Sequence, residues 1–155
     1  VGASADVFSG LGASVWMGAT LDRSEQREFC FEISYTHMDQ WEEFDGEGQT
    51  GKFDVLRVGW LCRTDPCCDR HWTWRAGLAY FRASGRPSEI DFDFVDIPIP
   101  GDYVGGYLGL GYEWDFGPWN RWSHGPELQV LGGFEVNGGD FGFTPTLRWG
   151  LSYRF

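Results

Sequence analysis

The chain has 155 residues, a formal net charge of -11, 42% hydrophobic residues, 13 Phe, 9 Trp, 6 Tyr and 23 Gly. That length is one domain's worth of chain. Its aromatic content excludes a disordered polymer, and so many glycines without a Gly-x-y period argue against collagen and against a helical bundle. With 23 acids against 12 bases, Lys52 being the one lysine, no basic face is available to neutralise phosphates, so nucleic acid is not expected as a partner.

In chain order, residues 1–9 either form a short first strand turning at Ser9-Gly10 into 11–21, or follow a strand that precedes this numbering. From residue 28 onward, period-two alternation dominates. In 28–39, Phe29, Phe31, Ile33 and Tyr35 share one face, and Cys30, Glu32, Ser34 and Thr36 the other. Residues 54–62 set Leu56, Val58 and Trp60 against Val55, Arg57 and Gly59. Residues 71–82 set Trp72, Trp74, Ala76, Leu78 and Tyr80 against Thr73, Arg75, Gly77 and Ala79. In 103–114, Val104, Leu108, Leu110, Tyr112 and Trp114 oppose Gly105, Tyr107, Gly109, Gly111 and Glu113. The segments 127–137 and 143–155 close the series, with Leu128, Val130, Phe134 and Val136, then Leu147, Trp149, Leu151 and Tyr153, on the apolar face.

A soluble sandwich or lipocalin-like barrel would put the apolar face inside. The polar face argues the reverse, because it is built of Gly, Ser and Thr with single charges rather than of many Lys and Glu. Small residues suit the inside of a narrow barrel. Trp and Tyr near strand ends suit a membrane interface, and ~9–11 tilted residues suffice to cross a hydrocarbon layer. No stretch reaches the ~20 apolar residues of a spanning helix. The reading is an all-β, antiparallel, up-and-down transmembrane β-barrel forming one domain over 1–155. Seven strands are readable from residue 10, and eight are expected, since bacterial barrels of this kind have an even number.

The terminal run Arg148-Trp149-Gly150-Leu151-Ser152-Tyr153-Arg154-Phe155 resembles the closing strand of small outer-membrane proteins of the OmpA/OmpX type. Phe31-Glu32-Ile33-Ser34-Tyr35 and Leu56-Arg57-Val58-Gly59-Trp60 resemble that family's third and fourth strands. The resemblance implies a Gram-negative outer-membrane location with both termini in the periplasm, outer-membrane lipid around the wall, and a terminal signal at Tyr153 and Phe155 read by the barrel-assembly machinery. It implies outer connections 40–52, 83–102 and 138–142, and periplasmic ones at 22–27, 63–70 and 115–125. The peptidoglycan-binding domain of larger members is not expected. Glu32, Arg57 and Glu113 match an internal salt-bridge gate of the family. Leu131 stands where its remaining arginine would be, so Arg75 or Arg148 must substitute, and a structural plug is expected rather than a gate.

With this orientation, Cys30, Cys62, Cys67 and Cys68 gather near the periplasmic rim, where one or two disulfides linking Cys30 or Cys62 to Cys67 or Cys68 are expected. Their spacing fits no zinc motif, and no metal or other cofactor is expected. The lumen-facing parity gives a charge network of Glu32, Arg57, Arg75, Glu113, Glu127, Glu135 and Arg148. Eleven acids fall in or beside the outer connections 40–52 and 83–102, and Ile90, Asp91, Phe92, Asp93, Phe94 and Asp96 form an acidic and apolar strip that either packs on the other outer loop or meets a protein partner. The acids could hold Ca²⁺, but no EF-hand spacing is present. A lipid acyl hydrolase or transferase would need a nucleophile beside a base. Ser34 has the opposite parity to His37 and Asp39, and Ser123-His124 has only Glu127 near it, so no catalysis is expected. The expected role is a plugged, non-enzymatic membrane anchor or interaction subunit.

Overall fold

The computed structural model describes residues 2–7, 10–44, 47–65, 68–84 and 101–154. These form β1 (Gly2–Val7), β2 (Gly10–Arg23), β3 (Arg27–Phe44), β4 (Glu47–Thr64), β5 (Arg70–Ser84), β6 (Gly101–Phe116), β7 (Trp122–Glu135) and β8 (Phe141–Tyr153), with a short 3₁₀ turn at Pro118–Asn120. Each strand pairs antiparallel with the next, and β1 pairs with both β2 and β8, from Gly2↔Trp16 to Val7↔Leu11 on one side and Gly2↔Ser152 to Val7↔Leu147 on the other. The sheet is therefore a closed eight-stranded barrel. Residues 2–7 supply the strand that the alternation alone left open, and closure leaves no free edge at that level of the wall.

The strands run longer than the alternation indicates. β3 and β4 stay paired up to Phe44↔Glu47, so 40–52 is not an open connection but a two-stranded ribbon joined through 45–46. Connections at the end that carries the chain termini shrink to 24–26, 65–69 and 117–121, and the last loop at the opposite end is 136–140. Gly139 there takes φ +81, a left-handed conformation suited to glycine. The strip from Ile90 to Asp96, together with Cys67 and Phe155, lies outside the described residues.

Burial is inverted relative to a water-soluble fold. Leu78 is 73% exposed and Leu108 67%, whereas Arg57 is 1%, Arg148 2%, Arg75 3% and Glu32 3% exposed. Strand parity causes this, since successive side chains point to opposite faces and the face carrying Gly, Thr and charge is the concave one. Outside, two belts bound the apolar wall. Toward the loop end, His37, Asp54, Arg82 and Asp102 are cross-strand neighbours on β3 to β6. Tyr35 donates to Asp54 (2.6 Å) and Tyr80 to Asp102 (2.8 Å). Toward the termini end, rings meet in pairs: Trp72 with Tyr112 (5.1 Å), Tyr112 with Trp114 (5.1 Å), Trp114 with Trp149 (6.0 Å) and Trp122 with Tyr153 (4.8 Å). From Arg82 to Trp72 along β5 is roughly 24–28 Å of height at a strand rise of about 3.4 Å and the usual barrel tilt.

Inside, the barrel has two halves. Near the loop end, Met38, Phe53, Val55, Ala79, Phe81, Tyr103, Tyr107 and Leu131 pack into one buried cluster. The alternation makes this face one of Gly, Ser and Thr with single charges, with Val55 and Tyr107 among them. Small and charged residues line the other half, whereas above Arg57 the inward parity falls on Val55 and Phe53, and above Ala79 on Phe81. Tyr107 lies across Gly59 and Gly77, where an added Cβ would strike its ring and the backbone of the facing strand.

Candidate functional site

The termini-side half of the lumen holds a connected ionic network with Arg75 as its hub. Arg75 sits in mid-β5, the position that aims its guanidinium across the lumen. Its Nε donates to Glu32 Oε1 at 3.1 Å, its Nη1 to Glu127, and its Nη2 lies 3.5 Å from Glu113 Oε1. Arg148 Nη2 donates to Glu127 at 2.8 Å, and Gln129 Nε2 donates to the other oxygen of that carboxylate at 2.7 Å. The Trp16 ring lies 5.2 Å from the Arg148 guanidinium and 5.9 Å from that of Arg75. Arg57 sits higher, donating to Thr36 Oγ1 at 2.5 Å and lying over the Tyr107 ring at 5.9 Å. Leu131 belongs to the apolar cluster rather than to this network.

The network reaches further toward the termini than the sequence reading allowed. Arg63 joins Glu113 (3.1 Å) to Glu28 (3.3 Å), His71 Nε2 lies 3.3 Å from Glu113, and Arg154 contacts Asp115. Glu28, Arg63, His71, Asp115 and Arg154 share the inward parity of Glu32, Arg57, Arg75, Glu113 and Arg148. Glu28, His71 and Arg154 fall inside the segments 28–39, 71–82 and 143–155 and follow from parity alone; ending the strands at 62 and 114 hides Arg63 and Asp115. The interior carboxylates Glu28, Glu32, Glu113, Asp115 and Glu127 face the guanidiniums of Arg57, Arg63, Arg75, Arg148 and Arg154, an even balance of opposite charge. Such balance is what allows charges to stay out of bulk water.

Two expectations are corrected. Glu135 is half-buried at the loop end, beside Gly101 and Gly138, with the apolar cluster between it and the network, and it forms no ion pair among the described residues. The cysteines do not converge either. Cys30 is buried in the lumen, with Thr20 Oγ1 at 3.5 Å, whereas Cys62 lies one register step away on the outer wall; Cys30, Cys62 and Cys68 are free thiols. Adjacent strands at these positions point Cys30 inward and Cys62 outward, so both cannot reach one turn from the same side of the wall.

At the termini end the lumen opens into a cavity of about 270 Å³ lined by Trp16, Thr20, Arg23, Cys30, Glu32 and Arg63 among others. Arg23 lies past a register irregularity between Thr20 and Asp22. Among the described residues no cluster of His, Cys, Asp and Glu is arranged to hold a metal ion.

The candidate acyl-transfer groups separate as their parity requires. Ser34 is buried in the lumen, while His37 is on the outer wall with Asp54 at 2.7 Å and Asp39 at 3.6 Å. His124 is also on the outer wall, among Trp114, Phe116 and Trp149, and Ser123 is inside, hydrogen-bonded to Ser152 at 2.5 Å. Tyr153 receives a hydrogen bond from Arg121 Nη1 at 3.3 Å and packs on Trp122 in the aromatic belt. Comparison of the chain with known protein families and with curated proteins finds no match.

Proposed function

We propose that this protein is a plugged, non-enzymatic β-barrel that spans the outer membrane of a diderm bacterium and serves as an anchor or interaction subunit, similar to the OmpA/OmpX type. The observation that carries the reading is the inverted burial: a wall of exposed Leu, Val, Phe and Trp around a lumen of buried, paired Arg and Glu. Water would penalise that wall, whereas hydrocarbon accepts it and requires every backbone group to be satisfied within the chain, which closure does. The band between polar and aromatic belts, at roughly 24–28 Å, suits the ~25 Å apolar band of outer-membrane barrels. A lipocalin-like binder would need an apolar interior along its whole length, and the ionic half of the lumen does not offer one.

The plug makes an open pore a poor reading, since buried side chains fill the lumen from Arg75 to Phe81. The interaction role rests on the acidic connections. Eleven acids lie in or beside 40–52 and 83–102, the stretches that join β3 to β4 and β5 to β6, and a cationic partner surface would be drawn to such charge. In this reading outer-membrane lipid surrounds the wall, the barrel-assembly machinery handles the nascent chain, and a protein partner meets the connections near 40–52 and 83–102.

The test is refolding into detergent and lipid vesicles. The folded protein should migrate differently in SDS gels before and after boiling and should resist added protease once inserted. A protein that stays monodisperse in plain buffer, leaves vesicles untouched and migrates identically with and without boiling would refute the membrane reading.

A further inference from the structure

The outer wall is not evenly packed. On β4 and β5, Trp60 and Trp74 stand diagonally opposite while Cys62 and Ala76 take the other diagonal, because Trp60 pairs with Ala76 and Cys62 with Trp74. Two large rings beside two small side chains leave a groove of about 470 Å³, closed on its far side by Leu108, Leu110 and Leu128. That volume lies within the roughly 300–1,000 Å³ of small-molecule sites, and the lining is almost wholly apolar. A second feature adjoins it. On the same outward parity, Arg27 lies two residues beyond Phe29 at the groove's termini-side end, about 7 Å along the strand. Arg70 lies further down β5, beside Trp114. Both are exposed and in no ion pair among the described residues; Glu25, Asp65 and Asp69 belong to the turns beyond them.

We propose that this groove and the two guanidiniums form a specific site for one glycerophospholipid of the termini-side leaflet, with an acyl chain in the groove over Ala76 and the phosphate at Arg27 and Arg70. The inference rests on the membrane reading above and adds a defined ligand to it. Three observations select this occupant. The groove takes an apolar chain but offers no hydrogen-bond partner for a polar one. Beside the groove, the cationic side chains stand at its termini-side end, where a leaflet's headgroups would be, Arg27 lying about 7 Å along the strand from Phe29. The neighbouring Trp72, Tyr112 and Trp114 form the belt that marks that interface. A second copy of the chain would instead bring a matching Arg27 and Arg70 against these and repel.

The test is native mass spectrometry of the full chain refolded in detergent with phosphatidylglycerol. The parent protein should retain one lipid after detergent removal. Ala76→Leu, which fills the groove from the lipid side, should weaken retention about tenfold, and Arg27→Gln with Arg70→Gln should weaken it by several fold. Leu78→Ala, on the same wall outside the groove, should leave it unchanged. Retention of no lipid, retention of detergent alone in its place, or equal retention by the Ala76→Leu or double Arg variant would overturn the site. Each variant is also run before and after boiling in SDS gels. Loss of lipid from a variant that still shows the heat-dependent shift concerns the site, whereas absence of the shift in the parent protein concerns the membrane reading itself.

Discussion

The two halves of the lumen fill the same narrow tube by opposite means. Toward the termini, Arg75 and Arg148 hold three carboxylates, Arg148 with Glu127 at 2.8 Å and Arg75 with Glu32 at 3.1 Å and Glu113 at 3.5 Å. Toward the loops, Phe81 stacks on Tyr103 at 4.8 Å and meets Phe53 at 5.5 Å, with no ion among them. In the ionic half each group is held by direction and charge, so its stability depends on complete pairing. In the apolar half it depends on volume and contact area. The difference shows why a barrel can be plugged twice: the charges set which side chain points where, and the rings keep water from crossing above them.

The comparison can be broken hardest at its hub. Arg75→Ala leaves Glu32, Glu113 and Glu127 facing one another with one guanidinium fewer, and should destabilise the barrel by about 3–5 kcal/mol. Urea titration of tryptophan fluorescence in lipid vesicles measures this. Adding Glu32→Gln to Arg75→Ala should recover part of the loss, because the penalty comes from stranded carboxylates rather than from missing attraction. A double variant less stable than the single one would show that the network is not electrostatically coupled.

Phe81→Ala tests the other half. The ring is fully buried, and its removal should cost about 3 kcal/mol by cavity formation. Unlike Arg75→Ala, it should not be rescued by any charge-neutralising partner substitution. Its second consequence is hydration: with the seal opened, backbone amides of the ionic half near Gly109 and Gly111, beside Arg75 and Glu127, should exchange faster than in the parent. Unchanged exchange there would mean that Phe81 is not the seal.

Conservative replacements should then separate the halves by kind. Arg75→Lys keeps the charge but loses the fork that reaches three carboxylates, and should cost about 2 kcal/mol in the same titration. Met38→Leu keeps volume and should cost less than about 1.5 kcal/mol. Equal losses for the two would mean that packing, not directional pairing, governs both regions.

The division between halves was only partly legible in the sequence. Inward and outward faces followed from period two, so the burial of Glu32, Arg57, Arg75, Glu113, Glu127 and Arg148 could be read from parity alone. His71 and Arg154 fall inside the segments 71–82 and 143–155 and share that parity, whereas Arg63 and Asp115 lie one residue past 54–62 and 103–114, and strand ends are set by turn chemistry and by how far the neighbouring strand remains paired. Those depend on closure, and β1 is too short and too small in its side chains to announce itself. The apolar cluster was missed for another reason. Phe53 and Phe81 are individually on the lumen face, yet their contact spans separate strands, and period two carries no information on height within the barrel. Parity also puts Cys30 on the lumen face and Cys62, with Leu56, Val58 and Trp60, on the outer face, a separation that the expected disulfides leave out of account.

Glu135 offers the smallest expected effect and the finest test of where the ionic half stops. Its parity matches the network, and the sequence reading included it, but Tyr103, Phe81 and Leu131 lie between it and Arg75. Its carboxyl instead rests against Gly101 and Gly138, while its backbone N–H donates to Asp140 across the 136–140 turn at 2.7 Å. Glu135→Gln keeps that backbone bond and the side-chain shape and removes one charge from a half-exposed site, so the unfolding midpoint should shift by no more than about 0.5 kcal/mol equivalent. The same substitution at Glu127, with Arg75, Arg148 and Gln129 around it, should cost several times as much, since charge-assisted bonds in a buried site are lost and an arginine is left short of a partner. Matching losses at the two positions would place Glu135 in electrostatic contact with the network and move the boundary between the halves up to the loop end.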